Sequence, residues 1–557
     1  MPFSKPLLAL DLWSPSKDRD APASPDKVRL HYERARSICK ESGLAITDIK
    51  HLTPKSWDFH FDLIAARDMT AFIIATIHLN LCIGTLSAYT ESRPDLSHLL
   101  DDLLNFNVCG EFMLTEIGHG LDARNLETTA TLLPDGHFSL HTPTPAAAKA
   151  MPPSTPLCGI PRVAIVFARL LVDNMDHGVK QFLVWLSEED TMKDGITSRA
   201  LPTRPGTKPL DHAITSFAHV RLPPTALLSF PSKSKEPLSV GTLSLSIMGV
   251  SSIKLASEIT ARYSQRRLTA GLTQHERVPI LSFSTQQRPI LRGLVHGIVL
   301  DVYARWTISN FMNPDHAQAV RHAFATIFKA SVVQASRHLH QLSERCGWQG
   351  LFAYNQISEL ALTFQGNAVA EGDALALCIH KYHLPPPQDP ARYLAQHERG
   401  IFLESKEKMA KLGGYGHHRN QEFDRHILPR CQSLVEAIGH RMAYEAAKHR
   451  GVRPEVLRLF EKLCIEANLS WYLEEGLVTR SGFLDSMTEA YSAALPVLLH
   501  EQQRLETIDY ITAPIMTSES WEEFCSELPA FGGAGAKRFW VTNWLRLIYV
   551  LMTIVVY

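Results

Sequence analysis

Glu371 and Asp373 flank a glycine inside an otherwise apolar run, NAVAEGDALALCIHK, at residues 367–381. Two kinds of chemistry suit such a pair. Asp373 fits a helix N-cap, with ALALCI as the buried face that follows and Glu371 just outside. A carboxylate held against an apolar wall is also desolvated, which lifts its pKa toward neutrality and equips it to accept a proton. The local residues alone read as a capped helix. A catalytic reading of Glu371 requires support from the rest of the chain.

Composition narrows the field. The 557 residues suffice for roughly three or four domains. Lys plus Arg (56) nearly balances Asp plus Glu (57), and no block of like charge occurs, so a nucleic-acid groove is not expected. The nine cysteines are scattered without a CxxC pair, and no HExxH occurs, so no metal site is expected and a reduced, intracellular protein is. The apolar stretch RFWVTNWLRLIYVLMTIVVY approaches a membrane-spanning length but is broken by Arg546. Membrane contact through it stands as an alternative to a buried final segment. GGAGAKR, 532–538, has neither a preceding strand nor a Ser or Thr after Lys537, which argues against a phosphate loop.

The elements that must position these residues fall in blocks. Apolar residues recur at three and four through DKVRLHYERARSICKES, AARDMTAFIIATIHLNLCIGTLSAY and DLSHLLDDLLNFNV, the pattern of helices. Shorter runs separated by turn residues follow. TTATLLPDGHFSLHT reads as a hairpin about Pro134, Asp135 and Gly136, while RVAIVFARLLV and KQFLVWLSEE read as buried strands. Long helical patterns then return to about residue 510. The order α, β, α, α excludes a doubly wound nucleotide-binding sheet. The expected fold is α+β: an N-terminal helical domain (1–110), a central β domain (111–235), two C-terminal helical-bundle domains (236–410 and 411–530) and an apolar tail (531–557).

Four stretches give this layout a family resemblance. FMLTEIGHGLDARNLETTATLLPDGHFSLHTPTPAAAK, 112–149, resembles the Thr-Glu-x-Gly-His-Gly and Leu-Glu-Thr-Thr-Ala-Thr run of the acyl-CoA oxidases, a branch of the acyl-CoA dehydrogenase superfamily. ITARYSQRRL with ILSFSTQQRPI, 259–290, is similar to their Arg-Tyr-Ser and Phe-Gln-Thr-Gln-Gln stretches. SERCGWQGLF, 343–352, precedes VAEGDALAL by about twenty residues, as their Gly-Gly-His-Gly precedes a Glu-Gly-Glu or Glu-Gly-Asp. WYLEEGLVTRSGFLDSM and YITAPIMTSESWEEF look like their last helical domain. GGYGHHRN, 413–420, imitates the glycine motif but follows Glu371 instead of preceding it, and reads as a connection.

The resemblance implies an FAD-dependent enzyme that converts an acyl-CoA, or a related acyl thioester, to the trans-2-enoyl thioester and passes electrons to O2, giving H2O2. It makes Glu371 the base for the α-proton, leaving capping to Asp373. It places Thr115 at the flavin edge, with Gly118 and Gly120 letting the backbone approach ligand. It assigns Arg267 to the FAD pyrophosphate across the interface of a homodimer, with Gln287, and Gln286 beside it, toward the adenine, and makes Gly347 and Gly350 part of the cofactor-binding glycine motif. The family's Trp-Trp-Pro-Gly is replaced by AMPP, 150–153, so Pro153 stands where a glycine N–H could serve the cofactor. Leu121 replaces a small polar residue beside the substrate. These departures leave an alternative: a family member that binds acyl-CoA or a partner without catalysis. The family implies a peroxisome. The sequence ends Val555-Val556-Tyr557 instead of in a Ser-Lys-Leu address, so the cytoplasm is the other expectation.

Overall fold

A computed structural model describes residues 2–19, 24–120, 122–228, 237–273, 275–372, 385–413, 420–504 and 506–529. Asp373, Leu121, most of the 413–420 stretch and the apolar tail lie outside the described residues.

Helices open the chain. α1 (Pro25–Ser42) starts where Ser24 Oγ accepts the Lys27 N–H at 3.3 Å, has proline at its first position and stops at Gly43 with φ 56°. This is the asymmetry expected of helix ends, since proline lacks only an N–H that would be orphaned anyway and glycine alone enters the left-handed region without strain. α2 (Met69–Thr76) begins at Asp68, whose carboxylate accepts the Ala71 N–H at 3.0 Å, and continues into a π-helical stretch, Ile77–Ile83.

The β region runs from β1 (Cys109–Met113) through β2 (Thr129–Leu132), β3 (Phe138–His141), β4 (Lys149–Pro153), β5 (Arg162–Val172), β6 (Met175–Ser187), β7 (Ile196–Ala200), β8 (His212–Phe217) and β9 (Val220–Leu222) to β10 (Leu227–Leu228). One sheet has the order β10-β6-β5-β2-β3-β9, with β1 parallel to β5, and a second has the order β4-β8-β7. The turn at Pro134, Asp135 and Gly136 closes the antiparallel β2–β3 pair, with Leu132 opposite Phe138. Alternate residues of the two sheets, among them Ala164, Val166, Phe182, Ile196 and Phe217, form a small core of their own.

The chain then returns to helices: α3 (Pro237–Arg266), α4 (Ser284–Met312), α5 (Gln318–Ser336), α6 (Ile357–Val369), α7 (Leu428–His449), α8 (Pro454–Ala467) and α9 (Arg480–Arg504). Between α3 and α4 lies a small hairpin, β11 (Leu268–Ala270) with β12 (Arg277–Pro279). One apolar core joins the first helices to these. α3 is its axle, buried through Leu243, Ile247, Met248, Leu255, Ala256 and Ile259. The expected α+β layering is found, and it sets each end of α3 against a different group of sequence-predicted residues.

Candidate active site

Glu371 follows the last turn of α6, where Ala370 N–H still donates to Gly366 O at 3.1 Å. Its φ is 56° and that of Gly372 is 87°, so the chain turns sharply through a conformation that costs a residue with a Cβ about 1–2 kcal/mol. Two helices hold the turn. Thr242 Oγ on α3 donates to the Glu371 carbonyl at 3.0 Å. From α5, Lys329 Nζ donates to the carbonyls of both Ala370 and Gly372.

The turn drives the carboxylate onto α3 at Gly241. A Cβ at that position would stand 2.6 Å from Glu371 Cδ and 2.7 Å from Oε2, so no larger residue fits without moving the carboxyl. Glu371 as a residue is partly exposed, yet Oε2 is fully buried and has no hydrogen-bond partner among the described residues. Desolvation therefore dominates and pushes the carboxyl up to about 7, against the lowering field of Lys329. A carboxyl poised near neutrality, with one oxygen unsatisfied, is suited to accept a proton from a group that enters the site.

The other sequence-predicted residues fall into two places. Thr115 lies beyond the end of β1, its carbonyl accepting the Ala150 N–H at 3.0 Å, so the first flavin-edge candidate and the AMPP stretch are neighbours. Around Thr115 the surface is apolar and open: Ile117 is 52% and Met151 53% exposed. Gly118 is tightly packed, because a Cβ there would meet Ala146 Cβ at 3.0 Å, whereas a Cβ at Gly120 would meet nothing within 4 Å among the described residues. Pro153 has no N–H to offer, and its carbonyl is taken by the buried guanidinium of Arg162. β1 connects to the Glu371 region through the π-helical stretch. Gly110 N–H donates to His78 Nδ1 at 2.9 Å, and Asn80 Nδ2 reaches Ser244 Oγ at 3.4 Å, three residues along α3 from Gly241.

The remaining candidates gather at the opposite end of α3. Arg267 follows the last turn, exposed, its N–H donating to Tyr263 O at 2.8 Å. Gly347, at φ 62°, lies beside Tyr263, whose hydroxyl would be 4.0 Å from an added Cβ. Gly350 has no room at all, since a Cβ would stand 1.9 Å from Ser343 O. The amides of the glutamines face inward. Gln286 Nε2 donates to Ser264 Oγ at 2.9 Å and Arg345 O at 2.8 Å, and Gln287 Nε2 donates to Leu281 O at 2.9 Å. From Gly241 to Arg267 the helix covers about 39 Å at 1.5 Å per residue, so the two groups are far apart within one chain.

Sequence reasoning did not single out four residues that position these groups. Gly241 and Lys329 shape the Glu371 turn. Glu116 and Lys149 fix the Thr115 loop: the Glu116 carboxylate accepts the N–H groups of Glu127 (2.8 Å) and Thr128 (2.9 Å), and Lys149 Nζ meets Glu116 Oε1 at 3.1 Å and also donates to Leu114 and Phe167 carbonyls. Glu116 and Lys149 lay inside the stretches already compared. Lys329 had one signal, a lone cation in the apolar helical run FATIFKASVV.

Comparison with known proteins gives this fold its class. No family model matches the chain. Peroxisomal acyl-coenzyme A oxidase 3 of Homo sapiens is 24% identical over 370 residues, covering 57% of this chain and 53% of that protein. The chain thus spans about half the length of this curated relative. Acyl-CoA oxidase 3 of Yarrowia lipolytica superposes with a TM-score of 0.80 at 18% identity, covering 98% of this chain and 91% of that one. Acyl-CoA oxidase-1 of Caenorhabditis elegans, solved with FAD and ATP, superposes with a TM-score of 0.74 at 17% identity over 95% and 90% of the two chains. The chain is a divergent relative of the acyl-CoA oxidases and has their fold.

Proposed function

We propose that this protein is an FAD-dependent acyl-CoA oxidase in which Glu371 removes the α-proton of an acyl thioester. The observation that carries the reading is the Glu371 carboxyl itself: buried at Oε2, raised to about 7 and without a hydrogen-bond partner there among the described residues, on a turn braced from two helices. A thioester α-proton is weakly acidic, so a base with an elevated pKa in a dry site is what the abstraction needs. Once ionised, Oε2 takes the proton, and Lys329 steadies the carboxylate. Bound FAD supplies the hydride acceptor that no side chain can provide and returns the electrons to O2. Thr115, presented by the Glu116–Lys149 brace, offers a hydroxyl to the ring edge, with Ile117 and Met151 as apolar surface beside it. Pro153 contributes no N–H to the cofactor there.

The homodimer belongs to the same proposal. Arg267, at the end of α3, and Gly347 and Gly350 near Tyr263 lie about 39 Å of helix away from Gly241, which fits a cofactor that Arg267 meets across a subunit interface. The name of the human relative supports a peroxisomal location.

The test is the visible spectrum. Purified protein with FAD should be yellow, bleach anaerobically when an acyl-CoA is added and regain colour in air with release of peroxide. Protein that stays colourless with added FAD overturns the reading in favour of an acyl-CoA- or partner-binding relative without chemistry. Bleaching without recovery in air makes it a dehydrogenase needing another acceptor.

A further inference from the structure

We infer that Lys329 is a positioning residue for the base: its ammonium clamps the peptide carbonyls on both sides of Glu371 and so fixes the turn that presses the carboxylate against Gly241. The inference rests on the proposed role of Glu371. Lys329 is 1% exposed in the middle of α5, out of reach of solvent. An ammonium carries three donors, and two of them go to Ala370 O and Gly372 O, the residues immediately before and after Glu371. Without those bonds the non-glycine residue at φ 56° has a less strained alternative, and relaxing toward it swings the side chain away from α3.

Charge adds to geometry. The carbonyls it binds close the C-terminal end of α6, where aligned peptide dipoles concentrate negative charge. A carboxylate formed at Glu371 would face that charge. Lys329 is the charged group among the described residues whose field reaches the carboxyl, and it opposes the desolvation that raises it. Burying a lysine in the core is costly unless it is paired, and here the pairing serves the turn that carries the base.

The experiment compares wild-type holoenzyme with Lys329→Met, Lys329→Gln and Lys329→Arg, measuring anaerobic bleaching by a saturating acyl-CoA across pH 5–9. Lys329→Met removes donors and charge at similar volume and should slow bleaching by roughly tenfold to a hundredfold with little change in the half-saturating acyl-CoA concentration, because a displaced base loses rate and not binding. Its acidic limb should move to higher pH than the wild type's, since an opposing positive charge is gone. Lys329→Gln keeps donors without charge and should show the shifted limb with a smaller loss of rate. Lys329→Arg should keep the limb in place. If Lys329→Met does not fold, the Gln and Arg variants decide: equal limbs overturn the inference. Wild-type rate and limb in Lys329→Met overturn it as well. Failure of the wild type itself to bleach overturns instead the reading of Glu371 as base, so the two failures are distinguishable.

Discussion

At its Gly241 end α3 is closely packed against the Glu371 turn. A carboxyl is pressed against a glycine that has no room for a Cβ, its turn is tied to two helices, and the nearest polar groups are engaged within the chain. At its Arg267 end the same helix emerges into solvent: Arg267 is exposed, the β11–β12 hairpin folds back beside it, and Trp348, 60% exposed, leans on Phe352 and Trp521. The difference teaches where each kind of specificity is stored. Proton chemistry needs a fixed, dry geometry, which one chain's core can supply alone. Holding a long anionic cofactor needs donors on a surface that something else must cover, and a second copy of the chain is the proposed cover.

The largest effect should come from the Gly241 end. Glu371→Gln preserves shape and packing but cannot take a proton, so it should retain FAD colour and lose bleaching by about a thousandfold or more. The same variant tests the burial. Below pH 4.5 the Glu371 carboxyl is protonated in folded and unfolded chains alike. As pH rises from there toward 7 only the unfolded chain releases the proton, so the folded state loses stability over that window, by about 3 kcal/mol at its end. Glu371→Gln should therefore be more stable than wild type to denaturant at pH 8 and no more stable at pH 4. Equal stability at both pH values would mean that the carboxyl is solvated.

Gly241→Ala attacks the same end from the other side. A Cβ 2.6 Å from Glu371 Cδ forces the carboxyl aside, and a displacement of the order of 1 Å should reduce the bleaching rate by roughly tenfold to a hundredfold. FAD content should not change, since nothing at Gly241 is proposed to hold the cofactor. Arg267→Ala should invert this pattern. The side chain is exposed, so stability should stay within about 0.5 kcal/mol, while FAD affinity falls about tenfold and bleaching of fully loaded enzyme is preserved. Titration of apoprotein with FAD separates the two. A Gly241 variant that loses FAD, or an Arg267 variant that loses rate at saturation, would break the division between the ends.

The sequence made much of this legible, for identifiable reasons. The α, β, α, α order followed from periodicity, and the β2–β3 hairpin from the Pro134, Asp135, Gly136 turn, because both are local signals. The Thr115 and Glu371 stretches were marked by their order of motifs. What no local pattern could give was the partner of each group. Gly241 lies 130 residues before Glu371 in a helix that has one other glycine, Gly249, and only the packing of α3 on the turn at 370–372 singles it out. Lys329 read as one cation among many until its ammonium was found on the carbonyls of Ala370 and Gly372. Glu116 and Lys149 were quoted as part of a family stretch, but their ion pair joins residues that β-pairing brings together, not residues close in sequence.

The smallest effect is expected where resemblance and structure pull apart. Gln287 is a candidate for the adenine end, yet its amide donates to Leu281 O at 2.9 Å and is half-buried, closing the turn that starts α4. With one N–H on Leu281 O and the other directed at Ser282 O at 3.5 Å, both amide donors serve this turn and reach a ligand only if it opens. Gln287→Ala should therefore cost about 1 kcal/mol of stability, the usual value of one such bond, and leave FAD affinity within about twofold of wild type. Arg267→Ala is the matched control: same end of α3, no side-chain hydrogen bond or ion pair among the described residues, and a tenfold loss of affinity expected. If Gln287→Ala weakens FAD binding as much as Arg267→Ala does while leaving stability unchanged, the amide leaves its turn when the cofactor binds, and the open end of α3 rearranges around its ligand instead of merely waiting for a cover.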